Sequence, residues 1–237
     1  MIAETVRIPV PGGRLQGTLA YPADQPPSRT IVLAGPHPLL GGDMQNNVLV
    51  GLEAQLVVAG SATLRFNYAG VGESDGPDAL SIEQLNAFLA TSHMADETRR
   101  HEDLAAALHF ATSTVGQDVP LAIIGYSFGC AVISAWLEHD LSATSRLDPQ
   151  AIVCIAPTIG RHDYGGMSAS SVPKLVLASR DDFATPSDVL REAVSSWTEP
   201  KRLVLAELDD HFFRGCEAWL SGQIVPFLET TGRVTNP

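Results

Sequence analysis

The sequence has few cysteines, few basic residues and no long apolar run. Only Cys130, Cys154 and Cys216 occur among its 237 residues. Their odd number, wide spacing and apolar neighbours exclude a disulfide-stapled framework and a CxxC metal knuckle, and predict buried free thiols in a reducing compartment. Fifteen Lys and Arg face 27 Asp and Glu, for a formal charge of −12. Such a chain repels phosphate backbones and anionic lipid, so neither nucleic acid nor a membrane surface is an expected partner. No apolar stretch reaches the ~18 residues of a membrane span. The start, Met1-Ile2-Ala3-Glu4-Thr5, lacks the basic and apolar regions of a secretory signal, and a cytoplasmic location is expected. Internal repeats, low-complexity tracts and linkers are also missing, so residues 1–237 read as one large domain. Neither the dinucleotide-binding glycine fingerprint nor GxxxxGK[ST] is present, and no cofactor is expected.

What is present is 45% hydrophobic residues in two periodicities. Residues 5–21 alternate apolar and polar positions around Pro11-Gly12-Gly13, the pattern of an antiparallel hairpin with one solvated face. Short continuous apolar runs follow at 30–34, 62–66, 121–124, 151–155, 174–178 and 202–205. Runs of this length suit parallel strands buried on both faces. Between them, residues 48–59, 97–112, 128–139, 186–197 and 215–228 carry apolar positions at helical steps. This alternation predicts an α/β fold: a mostly parallel sheet with helices on both faces and an antiparallel hairpin at the N-terminus.

GxSxG is written twice, as Gly72-Glu73-Ser74-Asp75-Gly76 and as Gly125-Tyr126-Ser127-Phe128-Gly129. Context separates the copies, because a nucleophile elbow needs a buried strand before the serine and a helix after it. Ser127 follows an apolar run and precedes small residues and a helical face. Ser74 follows a glycine-rich stretch and precedes Pro77, so it reads as a polar loop residue. A serine hydroxyl needs a base and a group that orients the base. Beyond the run 174–178 come Asp181 and Asp182, and beyond the run 202–205 comes His211. Both positions lie past the C-terminal ends of strands, where parallel sheets place their sites. The spacing leaves Asp181 and Asp182 unseparated. The remaining histidines read as solvated or capping residues, and His101 and His109, though on one helical segment, have no further ligands for a metal nearby.

These residues resemble the α/β-hydrolase superfamily, and within it the small serine hydrolases of dienelactone-hydrolase-like type with little or no cap. The resemblance is carried by Pro36-His37-Pro38-Leu39 with Gly41-Gly42, Met44 and Asn46-Asn47; by Arg65-Phe66-Asn67 with Gly70-Val71-Gly72; and by the elbow at Ser127. Further along come Ile155-Ala156-Pro157 with Gly160-Arg161 and Asp163-Tyr164, then Asp182 four residues before Pro186, and His211-Phe212-Phe213. It implies Ser127 as nucleophile, His211 as base and Asp182 as acid. It also implies an oxyanion hole made of the Phe128 N–H and one from the loop after residue 34. Pro36 and Pro38 have no N–H, so Leu39 is the expected second donor, with Leu40 next and His37 bracing the loop. His37, Leu40, Phe88, Leu89, Phe183 and Phe212 are the expected pocket residues.

The implied activity is hydrolysis of a carboxylic ester or thioester through an acyl-enzyme, with a small-molecule acyl substrate and no metal. An acyltransferase, cyclase or C–C hydrolase on the same triad, or a ligand-binding protein retaining the fold, are the alternatives. Two departures stand out. Ala69 and Val48 occupy places where relatives carry cations. The segment 77–96 exceeds the family's connection by roughly fifteen residues and, with a capping-box pattern at Ser81-Ile82-Glu83-Gln84, is expected to form a small lid helix or a flanking one.

Overall fold

A computed structural model of the chain describes residues 1–76, 82–83, 85–86, 99–140, 147–208 and 210–231. The elements run β1 (Ile2–Val10), β2 (Gly13–Tyr21), β3 (Arg29–Ala34), α1 (Asn47–Val58), β4 (Ser61–Phe66), α2 (Arg100–Val115), β5 (Leu121–Tyr126) and α3 (Phe128–Asp140). They continue with β6 (Ala151–Ile155), α4 (Gly165–Ala169), β7 (Lys174–Ser179), α5 (Ser187–Ser196), β8 (Lys201–Ala206) and α6 (Glu217–Thr231). One eight-stranded sheet joins all these strands in the order β1-β2-β4-β3-β5-β6-β7-β8. β1, β2 and β4 pair antiparallel, and every other pairing is parallel.

The continuous apolar runs are split by the two-residue period of a strand between the two faces. On β3, Ile31 and Leu33 join one apolar cluster, while Val32 and Ala34 join the other. β5 divides its Ala122 and Ile124 from Ile123 in the same way, and β7 its Leu175 and Leu177 from Val176 and Ala178. α1 and α6 cover the first face. Leu49, Leu52 and Leu56 of α1 are fully buried there, each contributing about 1.5–3 kcal/mol relative to exposure. α2 and α3 cover the second face through Leu104, Ala107, Leu108, Val132 and Ile133. The hairpin is different. Most of β1 is exposed, and β2 buries Leu15 and Leu19 and docks along β4.

Several boundaries differ from the sequence expectation. The hairpin begins at Ile2, and α2 begins at Arg100, three residues later than the apolar spacing suggests. A 3-10 turn at Pro38–Leu40 and the five-residue α4 went unforeseen, because one or two turns carry no readable period. Between β6 and β7 the chain makes only a turn and α4. Cys130 and Cys154 are buried and Cys216 half-buried, and all three thiols are free. Of the expected lid segment, Ile82 is exposed and Leu85 packs against the second-face cluster. The lid itself, with Phe88 and Leu89, lies outside the described residues. Among the described residues, no helix is long and apolar enough to cross a membrane.

Candidate active site

β5 ends at Tyr126, α3 begins at Phe128, and Ser127 between them takes φ 55°. A non-glycine residue rarely adopts this left-handed conformation, and here the neighbourhood holds it in place. The Ser127 N–H donates to the Ile155 carbonyl at 2.8 Å, and its own carbonyl accepts the Cys130 N–H at 3.0 Å. The flanking glycines are required by close approach. A Cβ on Gly125 would lie 2.7 Å from Cys130 N, and one on Gly129 would lie 2.2 Å from the Ala34 carbonyl oxygen. The turn thus brings the start of α3 against the end of β3, where the Pro36–Gly42 loop leaves the sheet.

His211 lies on the loop after β8, with Nε2 3.1 Å from Ser127 Oγ. Both oxygens of Asp182, on the loop after β7, stand 2.8 Å from His211 Nδ1. A carboxylate can only accept, so Nδ1 carries the proton and Nε2 is left to accept from the serine hydroxyl. Ser127, Asp182 and His211 are all buried. Two further contacts hold the arrangement. Asp182 Oδ1 accepts the Ala184 N–H at 2.7 Å, and the Tyr126 hydroxyl donates to the His211 carbonyl at 3.2 Å. Burial pushes the Tyr126 hydroxyl well above its ordinary pKa, so it stays a donor. Asp181 is exposed, while Asp182 is buried against the imidazole; the geometry separates the two neighbours that position after the strand could not. Ser74 accepts the Gln16 N–H and donates to the Asn67 carbonyl, each at 2.9 Å, a loop tie between β2 and the end of β4.

A cavity of about 400 Å³ opens beside Ser127 and His211, and His37, Leu40, Phe183 and Phe212 line it. Leu40 and Phe183 are 69% and 65% exposed, so the cavity mouth is apolar. Phe128, as the first residue of α3, has an N–H without an intrahelical acceptor. Leu39 differs from expectation, because its N–H donates to His37 Nδ1 at 3.2 Å. The Leu40 and Gly42 N–H groups donate to the His37 carbonyl, and the Gly41 N–H donates to the Pro38 carbonyl. The loop therefore uses these four donors to close its own turn, with His37 as its brace. The His37 ring packs 4.7 Å from that of Phe128.

Of the motif residues after the Pro36–Gly42 loop, Asn46 lines the cavity, while Met44, Arg65 and Asn67 tie β4 to the segment before α1. Arg65 pairs with Glu53 at 2.8 Å, both buried, and donates to the Met44 carbonyl at 2.8 Å. Asn67 Oδ1 accepts the Met44 N–H at 2.7 Å, and Asn46 caps α1 through the Val48 N–H at 2.9 Å. Val48 is buried in the core, and Ala69 uses its backbone to join Asp103 and Arg100. Neither position reaches the cavity. Sequence reasoning read His162 as a solvated or capping residue, quoted Arg161 only for the resemblance and passed over Thr158; all three instead line the cavity from the loop after β6, with the His162 ring against Phe128. Their position past a parallel strand end was the available signal. His101 stacks on His139, ring centroids 4.0 Å apart, rather than sharing a site with His109. Among the described residues, no cluster of three or more His, Cys, Asp or Glu side chains could hold a metal ion.

No protein-family model matches the chain. It is 26% identical over 212 residues to an uncharacterized protein of Rickettsia prowazekii, covering 86% of this chain and 79% of that one. Among solved structures it is similar to an alpha-beta serine hydrolase homologue of Coxiella burnetii, with TM-score 0.77, 24% identity, and 95% and 97% of the two chains covered. A serine hydrolase without a lid from Xanthomonas campestris gives TM-score 0.76 at 21% identity, covering 96% and 94%. A dienelactone hydrolase of Anabaena variabilis gives 0.72 at 18%, covering 97% of each chain. The strand order, the elbow and these likenesses agree on one fold.

Proposed function

We propose, taking the α/β-hydrolase fold of this chain as premise, that it is a serine hydrolase that cleaves a carboxylic ester or thioester through an acyl-enzyme. The observation that carries this reading is the unbroken line from Ser127 Oγ to His211 Nε2 at 3.1 Å and from His211 Nδ1 to both Asp182 oxygens at 2.8 Å, beside an open cavity. Ser127 Oγ attacks the substrate carbonyl carbon while its proton passes to His211 Nε2. The imidazolium so formed faces the Asp182 carboxylate, which stabilises it and keeps Nδ1 protonated. The oxyanion faces the Phe128 N–H. The Leu39, Leu40, Gly41 and Gly42 N–H groups serve the loop's own turn, so of the two expected donors the Phe128 N–H is the one assigned to the oxyanion. The tetrahedral adduct collapses, the C–O or C–S bond breaks, and the leaving group takes the proton from His211. Water then enters, loses its proton to Nε2, and releases the acid and the free serine.

A fluorophosphonate probe and a set of short acyl esters and thioesters test this reading. The probe is expected to label the protein at Ser127, and Ser127→Ala is expected to lose both the label and turnover. Labelling elsewhere, or turnover that survives in Ser127→Ala, would refute the assignment.

A further inference from the structure

The cavity beside Ser127 is furnished unevenly. On the His211 side stand Phe183 and Phe212, with rings 4.9 and 5.6 Å from the imidazole and 5.9 Å from each other. The loop after β6 supplies a polar side, Thr158, Arg161 and His162. The His162 ring lies 5.2 Å from Phe128, the residue after the nucleophile. Arg161 is the one permanently charged side chain among the described residues that line the cavity.

Arg161 is held ready rather than used up. Its N–H donates to the Thr158 carbonyl at 3.2 Å, closing a turn whose third residue, Gly160, takes φ 82°, the conformation that favours glycine there. The Tyr164 hydroxyl accepts the Thr158 N–H at 2.9 Å, and the Thr185 hydroxyl donates to the Pro157 carbonyl at 2.7 Å, so the turn is anchored on both sides. The neighbouring carboxylate, Asp163, accepts the Gly165 N–H at 2.9 Å. Among the described residues Arg161 forms no ion pair, as is also true of Arg14, Arg29, Arg191, Arg202 and Arg214, but of these Arg161 alone lines the cavity. In a chain of formal charge −12, a cation left unpaired at a cavity wall is poised for an anion from solution.

We propose that Arg161 is a specificity-determining residue and that the preferred substrate is a compact ester whose acyl part ends in a carboxylate. This rests on the reading of Ser127 as nucleophile. The leaving group takes its proton from His211 Nε2, so it lies among the imidazole, Phe183 and Phe212, an apolar and aromatic place. The carbonyl oxygen faces the Phe128 N–H, and the rest of the acyl part is directed to the far wall, where Arg161 offers two parallel N–H donors to a carboxylate. A cavity of about 400 Å³ is near the small end for ligand sites, which suits a short half-ester better than a long acyl chain.

Benzyl hydrogen glutarate and benzyl hexanoate share a leaving group and differ chiefly in the terminal charge. The wild-type protein is expected to favour the glutarate half-ester by about tenfold in kcat/KM, the scale of one charge-assisted contact at an exposed position. The ratio is expected to fall to about one in Arg161→Met and below one in Arg161→Glu. A wild-type ratio near one, or a ratio that neither substitution moves, overturns the role of Arg161 and leaves the hydrolase reading standing. If neither ester is cleaved, the hydrolase reading falls and calorimetry decides the other. In Ser127→Ala, about tenfold weaker binding of the half-ester on adding Arg161→Met supports the anion site, and equal binding overturns it.

Discussion

His211 Nδ1 faces two carboxylate oxygens at the same distance, and this single contact decides which nitrogen is left to face Ser127 Oγ. Asp182→Asn keeps the shape but offers an amide that can donate, which turns the imidazole toward the wrong tautomer. The expected outcome is a fall in kcat of about 10³–10⁴ with the fold retained, checked by ester turnover alongside a near-unchanged circular dichroism spectrum. At this scale the sequence was readable where a residue's local neighbours define its role, and silent where distant atoms do. Ser127 could be told from Ser74 because a strand and a helix flank only one of them. Position after the strand could not tell Asp182 from Asp181, and only the resemblance, through the step to Pro186, pointed to Asp182, since the choice depends on which side chain reaches a histidine 29 positions away. Leu39 was the donor that the resemblance and the two prolines left, but its N–H is taken by His37 Nδ1.

Among the elements, the elbow depends on how closely two backbones can pass. Gly129→Ala would drive a Cβ to within 2.2 Å of the Ala34 carbonyl oxygen, a backbone atom that cannot swing aside. This substitution is expected to destabilise the protein by roughly 2 kcal/mol or more and to lower turnover, because α3 must shift away from β3. Gly222→Ala is the control, since a Cβ there meets nothing within 4 Å on an exposed face of α6. It is expected to stabilise by about 0.5–1 kcal/mol, and urea unfolding of both variants checks the opposite signs. Elements with a full period were legible in the sequence. The buried parallel strands stood out as unbroken apolar runs, and α1 as a leucine stripe. α4 and the turn at Pro38–Leu40 were not, because their conformation follows from packing against α3 and from the two prolines rather than from a repeat.

Across the whole molecule, the site depends on ties between parts of the chain far apart in sequence. Asn47, at the start of α1, donates to the Phe212 carbonyl at 3.0 Å and to Glu217 Oε1 at 2.8 Å. The Asn47 amide holds the Glu217 carboxyl below its ordinary pKa. A carboxyl lowered in this way contributes stability above its unfolded pKa and loses it as pH falls through the folded value. Asn47→Ala is therefore expected to cost on the order of 0.5–1 kcal/mol at pH 7, the scale of an exposed hydrogen-bonded pair. The part owed to Glu217 is expected to vanish as pH drops through about 4 and below, measured by urea unfolding at both ends of that range. A loss that stays the same at low pH would assign the effect to the Phe212 contact alone.

The order of strands and helices, the burial of both sheet faces and the placing of Ser127, the Asp181-Asp182 pair and His211 past strand ends were determined by the sequence alone. Each is written in local periodicity or in position relative to a strand, and neither needs a distant partner to be read. The tertiary structure alone showed the contact by which Asp182, which the resemblance had pointed to, meets the imidazole, which amides of the Pro36–Gly42 loop are consumed by its turn, and that a guanidinium from the β6 loop, unpaired among the described residues, lines the cavity. Those outcomes depend on directions in space between segments that the sheet brings together, and direction is a property that no single stretch of sequence carries.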